Sequence, residues 1–305
     1  MNGTAYTFTV AATNSAGTGS GSSVSAAVTP RAPGYWLVDQ SGLAYEFGDA
    51  SDFGTSLLPW DRFAVDIEST PTGGGFWLLD SAGVFHAFGD ARPIVGVDMS
   101  VLEPVVDFAN APDVAEQVVS MVPTASGLGM FVFTDRGRVI TRGDAVSAGD
   151  VSHLTLSSPV LDAKLDPDGS GYWMLAADGG VFAFDAVFHG SVPQLVPEGV
   201  KSEEWLNEPI VGITPDPASG GYWLVSADGG VFGFGGAEYR GSVPQVLPGT
   251  RLNKPVVGMV SYGNGYLMVA TDGGVFNFSD KPFVGSLGAN PPTTPVVTIT
   301  PIPVA

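Results

Sequence analysis

Few side chains in this sequence are of a type and spacing that could do chemistry. Asp66 and Asp162 each interrupt a short apolar run, and Asp107 lies in a longer irregular stretch. Glycoside cleavage uses two carboxyl groups roughly 5–10 Å apart, one as acid and one as base or nucleophile. Sequence spacing alone does not say whether these three meet. Glu203 and Glu204 form another acidic pair, read more simply as solvated loop charge. Asp166-Pro167-Asp168-Gly169 has the opening of a calcium loop but lacks the remaining ligands, including the closing glutamate. The corresponding stretch further on reads DPASGG, so a turn is the favoured reading and no cofactor is expected, with calcium as the alternative. His86, His153 and His189 are the only histidines, and no two have metal-ligand spacing. There is no G-x-S-x-G elbow, no H-E-x-x-H and no phosphate loop. Trp60 and Trp205 stand in loops, out of register with the other tryptophans. An aromatic face in a loop can act as a ligand platform, so these two are the candidate binding residues, weighed against a role in covering the core.

The elements that must position these residues recur along the chain. GYWLVSADGGVFGF, from Gly221, reads as two short strands joined at Asp228-Gly229-Gly230. Aromatic and branched residues favour the pleat, and Asp-Gly tolerates the positive φ of a tight hairpin. Related stretches begin at Gly34, Gly75, Gly129, Gly171 and Gly265, spaced 41 to 54 residues apart. That period, with hairpin content, is the signature of propeller blades. A further apolar run precedes each hairpin by 10–12 residues, at Phe63, Gln117, Pro159, Pro209 and Pro255, except the hairpin at Gly34. The missing copy is PVVTITPIPVA, from Pro295. The spacing therefore predicts an all-β, six-bladed β-propeller over 31–305, its first blade completed by the last strand of the chain, which leaves few exposed edges. FHGSVP, YRGSVP and FVGSL are read as weak fourth strands. Residues 98–116, with Val105 and Val106 as an extra strand or packed over the ring, and residues 194–208 are insertions.

Trp36, Trp77, Trp173 and Trp223 recur at one repeat position and are read as packing between blades. Asp178, Asp228 and Asp272 are read as turn residues, and Asp49, Asp90 and Asp144 as caps of the bend after the third strand.

Twelve Lys and Arg stand against 31 Asp and Glu, a net charge of −19. Nucleic acid and anionic membranes want a basic face and are not expected as partners. No run of about 18 apolar residues is present, so no membrane insertion is expected. Without cysteine, disulfides and thiol chemistry are excluded. No basic segment followed by an apolar one marks a signal peptide at the start.

Residues 1–30 alternate as Tyr6, Phe8 and Val10 against Thr7 and Thr9, then pass through a Gly/Ser turn to Val24 and Val28. The pattern Y-x-F-x-V-x-A-x-N resembles the last two strands of a fibronectin type III domain, so the chain reads as part of a larger polypeptide. Over residues 34–303, G-Y-W-L-V-x-x-D-G-G-V-F-x-F-G-D-A and RLNKPVVGM resemble repeats of secreted actinobacterial proteins. The D-G-x-V-aromatic core is loosely similar to regulator-of-chromosome-condensation repeats, without their Gly-x-x-His-Ser. The closer resemblance implies a secreted or cell-surface interaction module with no shared catalytic residues. The expected function is thus a non-catalytic binding or scaffolding propeller that engages a glycan or protein through loops at one end of the ring. A polysaccharide hydrolase or lyase with carboxylates near the axis is the alternative, and an architectural spacer the third reading.

Overall fold

The computed structural model describes residues 6–25, 31–55, 57–101 and 115–303, the side chains of Val101 and Glu203 excepted. Val28, Pro30, Val105, Val106 and Asp107 lie outside the described residues.

Residues 6–25 form a hairpin tipped by β1 (Thr13–Asn14) and β2 (Gly17–Thr18). Its arms are paired further down by Ser22 N to Val10 O (2.8 Å) and Ser25 N to Phe8 O (2.9 Å). Phe8, Val10 and Val24 are exposed.

The remaining strands are β3 (Gly34–Asp39), β4 (Ala44–Gly48), β5 (Ala64–Ser69), β6 (Gly75–Asp80) and β7 (Phe85–Gly89). They continue as β8 (Val118–Pro123), β9 (Met130–Thr134), β10 (Val139–Arg142), β11 (Val160–Leu165), β12 (Tyr172–Ala176) and β13 (Val181–Phe184). The last are β14 (Ile210–Pro215), β15 (Tyr222–Ser226), β16 (Val231–Phe234), β17 (Val256–Tyr262), β18 (Gly265–Ala270), β19 (Val275–Phe278) and β20 (Val296–Pro301). Among the described residues these make six three-stranded antiparallel sheets, each an inner strand, a middle strand and an outer strand. Five take three consecutive strands; the sixth has the order β20-β3-β4. Ile299 faces Leu37 and Thr300 faces Trp36, so the end of the chain supplies the strand that the first hairpin lacks. The inner strands touch in the cycle β20, β5, β8, β11, β14, β17 and back to β20. This is a β-propeller.

The middle strands are buried along their whole length, as an apolar run on both faces requires. The four repeat tryptophans lie between sheets, at most 1% exposed. Trp36 packs on Phe76 (5.4 Å between centroids), Trp173 on Tyr222 (5.0 Å) and Trp223 on Tyr266 (5.1 Å). Each indole N–H donates to a backbone carbonyl 14–15 residues on, as Trp223 does to Glu238 O at 3.0 Å.

The expected fourth strands do not form. Gly190, Gly241 and Gly285 take φ of 131°, 126° and 136°, which breaks the pleat. The following Pro193 and Pro244 bring no N–H to a ladder; they lie in a 3₁₀ turn (Val192–Gln194) and in α2 (Val243–Val246), the second of two short helices after α1 (Ser202–Trp205). These segments are pinned instead by hydroxyls of the next sheet. Tyr222, Tyr266 and Tyr35 donate to the carbonyls of Gly190, Gly241 and Gly285 at 2.5, 2.6 and 2.5 Å. Tyr266→Phe is expected to lower stability by about 1 kcal/mol, the net worth of one buried hydrogen bond. Urea unfolding checks it: an unchanged midpoint means that the hydroxyl fastens nothing.

Candidate functional site

In each sheet the inner and outer strands run one way and the middle strand runs back. The chain therefore leaves every outer strand at one end of the ring and returns along the sheet edge to start the next inner strand at the other. Trp60 and Trp205 both lie just ahead of inner strands, β5 and β14. They share one end, on sheets three steps apart in the cycle of six, hence across the ring from each other.

Trp60 is 98% exposed, between exposed Leu57 and Phe63. Its loop is tethered by Arg62, whose guanidinium donates to Asp80 at 3.1 Å. Trp205 ends α1, is 40% exposed, and lies 6.1 Å from the Phe232 ring. The pair helps line a cleft of about 330 Å³. A second cleft, of about 370 Å³, shares Asp228 and Pro244 with it and carries Arg251, Asn253, Lys254 and Glu208. A third cleft of about 360 Å³, containing Phe131, Val146 and Tyr172, opens among the turns of the opposite end.

The axis opens at the same end as the two tryptophans. Each inner strand is irregular between its first and third residues. That bulge re-aims the second side chain. The six second residues, Val65, Val119, Leu161, Val211, Val257 and Val297, are half-buried and ring an axial cavity of about 170 Å³. Beneath this aliphatic collar lies a charged tier. The Ser120 hydroxyl is 3.2 Å from Asp66 Oδ2 and 3.3 Å from Asp162 Oδ1, so two of the sequence's candidate carboxylates do meet. Both are held by backbone. Asp66 accepts from Ile67 N (2.8 Å) and Met121 N (2.9 Å); Asp162 accepts from Ala163 N (2.8 Å) and Ile213 N (3.0 Å). Met121 and Ile213 belong to the next inner strands, so each carboxylate clamps adjacent sheets together. Lys164 donates to Glu68 at 2.7 Å and lies 3.9 Å from Asp162. Burial pushes the Glu68 carboxyl up to about 7; Lys164 opposes this and Asp66 adds to it. Burial also raises Asp162, against the pull of Lys164. On Lys164 burial acts downward, but Glu68, Asp162 and Asp66 outweigh it and keep the ammonium charged. This tier ties strands together, and Asp66, Asp162 and Lys164 also line the axial cavity.

The other candidates resolve into local structure. Asp178, Asp228 and Asp272 each accept from the backbone N–H two residues on, at 2.9–3.0 Å, as turn residues do. Asp166 and Asp168 do likewise with Asp168 N and Ser170 N. Asp90 accepts from Thr70 and Thr72, and Asp144 from Thr124 and Ser126, so these residues bind the end of the outer strand to the turn between inner and middle strands. Asp49 accepts from Ala32 N at 3.1 Å. His86 bonds to Asp80 (3.0 Å), His189 bonds to Gly220 O (3.1 Å), and His153 is exposed. Among the described residues no three His, Asp or Glu side chains are grouped to hold a metal ion. Glu204 is exposed. The sequence reading passed over Glu68, Ser120 and Lys164; the signal was the alternation of polar with apolar residues within β5, β8 and β11. It also passed over Arg251 and Lys254 as ligand contacts.

Fold and site together define a β-propeller with two connected clefts and an exposed tryptophan at one end of its ring. No protein-family model and no curated protein matches the sequence. Among solved structures, the chain is similar to a protein of unknown function from Bacteroides thetaiotaomicron, at 12% identity and a TM-score of 0.48 over 79% of this chain. It spans 63% of that protein's chain, less than two thirds. It is also similar to the β-propeller domain of Cps50 (Swd1) from Myceliophteria thermophila, at 11% identity and a TM-score of 0.44 over 81% of this chain and 83% of that one.

Proposed function

We propose that the chain is a non-catalytic binding propeller that takes up a glycan through loops at one end of its ring, with Trp205 and Trp60 as anchors. In this reading it is a module of a larger secreted or cell-surface bacterial polypeptide, and residues 1–30 are the end of a fibronectin type III-like domain ahead of a propeller over 31–305. One observation carries the binding role. The four repeat tryptophans are buried between sheets, while the two out of register are exposed at the same end of the ring. Trp60, 98% exposed, shares its loop with exposed Leu57 and Phe63, so three apolar side chains face solvent together rather than singly. The hairpin supports the modular reading, because Phe8, Val10 and Val24 form an uncovered apolar strip of the kind a β-sandwich buries.

A hydrolase with carboxylates near the axis is the second reading: Asp66 and Asp162 line the axial cavity, but each also accepts two backbone N–H bonds that tie adjacent sheets together, which favours a structural role. A glycan array with the intact chain tests the proposal. Trp205→Ala is expected to weaken the strongest signals at least tenfold, and Trp60→Ala to weaken them while changing stability by less than about 0.5 kcal/mol. An array blank for the unmodified chain, or signals untouched by both substitutions, rules the proposal out.

A further inference from the structure

We propose that the paired clefts beside Trp205 are a site for an acidic oligosaccharide, with a sugar ring against Trp205 and Phe232 and an anionic substituent held by Arg251 and Lys254. This deepens the binding reading above and rests on it. The two clefts, of about 330 and 370 Å³, each have the capacity of a small-molecule site and share a wall made by Asp228 and Pro244. They differ in chemistry. One is floored by the Trp205–Phe232 pair, whose centroids are 6.1 Å apart. The other carries Arg251 and Lys254, three residues apart in the loop ahead of β17.

These two cations differ from Arg31, Arg92 and Lys281, whose side chains likewise have no partner among the described residues, in lining one cleft together. Only 12 Lys and Arg face 31 Asp and Glu. Arg62, Arg138, Lys164 and Arg240 are paired with carboxylates. Arg251 and Lys254 are exposed, and neither has an ion-pair or side-chain hydrogen-bond partner among the described residues. On a surface with a net charge of −19, two uncommitted cations in one concave loop mark a place for a negative group. The fork of an arginine matches a carboxylate or sulfate with two parallel hydrogen bonds. Asp228 and Glu208 line the same cleft and offset the two cations in net charge, so the anion is met by direct contact with the guanidinium and ammonium rather than by a positive field. Asp228 Oδ1 already accepts from Ser226 Oγ (2.5 Å) and Gly230 N (3.0 Å). Glu208 faces the same space and can accept the hydroxyls of a sugar. Two concave, ring-sized clefts favour a glycan over a protein, which needs about 800 Å² of contact on each side.

Calorimetric titration of the full chain decides the matter, with three probes: an oligogalacturonate, a sulfated oligosaccharide and the carboxyl-reduced, neutral form of the first. At least one anionic probe is expected to bind ten times or more tighter than the neutral one, and to weaken as salt screens the cations. The uronate and sulfate arms tell which anion is preferred. Arg251→Ala/Lys254→Ala is expected to remove that preference without moving the thermal midpoint, because neither side chain has a partner to lose. Equal affinity for anionic and neutral probes, or an unchanged preference in the double variant, overturns the charge assignment. If Trp205→Ala still weakens the neutral probe in that case, the glycan-binding reading stands; if no probe binds, the acidic-sugar assignment falls and the glycan array alone decides the broader reading.

Discussion

Removing residues 295–305 is expected to leave a chain with no sharp unfolding transition. The deletion takes away β20, the inner strand of the sheet that begins at Gly34. Val296, Ile299 and Ile302, at most 2% exposed, are lost from the core, and all six residues of β3 lose their cover. Burying three such side chains is worth about 5–9 kcal/mol, comparable with the whole net stability of an ordinary domain. The loss is compounded because β20 also contacts β17 and β5, so the inner cycle opens on both sides. Circular dichroism during heating, with dye binding to exposed apolar surface, measures the result. A cooperative transition within a few degrees of the full chain's would mean that closure contributes little.

Lys164→Met is expected to destabilise the protein by about 3–5 kcal/mol at pH 8, and by much less at pH 5. The ammonium is the cation set against Glu68, Asp162 and Asp66 among the described residues, and removing one partner of a buried charged group leaves the others uncompensated. The pH dependence follows from Glu68. Its carboxyl is raised from an ordinary 4.5 to about 7 in the folded protein, so between those values the folded state binds the proton and the unfolded state does not. Stability from this group is therefore greatest at the acidic end of that window and falls as pH rises through about 7. Without Lys164 the fall is steeper, since nothing offsets the charge that appears. Thermal midpoints of both proteins at pH 5 and pH 8 give the comparison. Equal losses at the two pH values would show that Lys164 does not hold the cluster's charge in check.

The architecture was largely legible in the sequence because one hairpin, written several times, carries its own geometry. Aromatic strands, Asp-Gly turns and a period of 41–54 residues fix the sheets, and the absence of an apolar run before Gly34 points to the spare one at Pro295. The segments around Gly190, Gly241 and Gly285 misled for a physical reason. Phe188, Tyr239 and Phe283 have strand character, but the positive φ of the glycine and the tyrosine hydroxyl of the next sheet together decide against a strand. That contact joins residues 25–32 apart, or 250 for Tyr35, beyond the reach of a local pattern. The candidate site was legible only in part. Trp60 and Trp205 stood out because they broke a register. Arg251 and Lys254 did not, because their significance lies in the cleft they share with Asp228 and Glu208, which only the folded molecule shows. Asp66 and Asp162 looked like catalytic acids, and became clamps once Met121 N and Ile213 N were found against them.

The pairing of β20 with β3 also sets a timetable for biosynthesis. A ribosome adds on the order of 5–20 residues per second, so Gly34–Asp39 emerges about ten to fifty seconds before the strand that will cover it. Throughout that interval an apolar ribbon with unpaired amides is open to any other nascent chain. Slow translation or crowded polysomes should therefore favour tangled multimers, and a holding chaperone that grips extended segments should raise the yield of monomer.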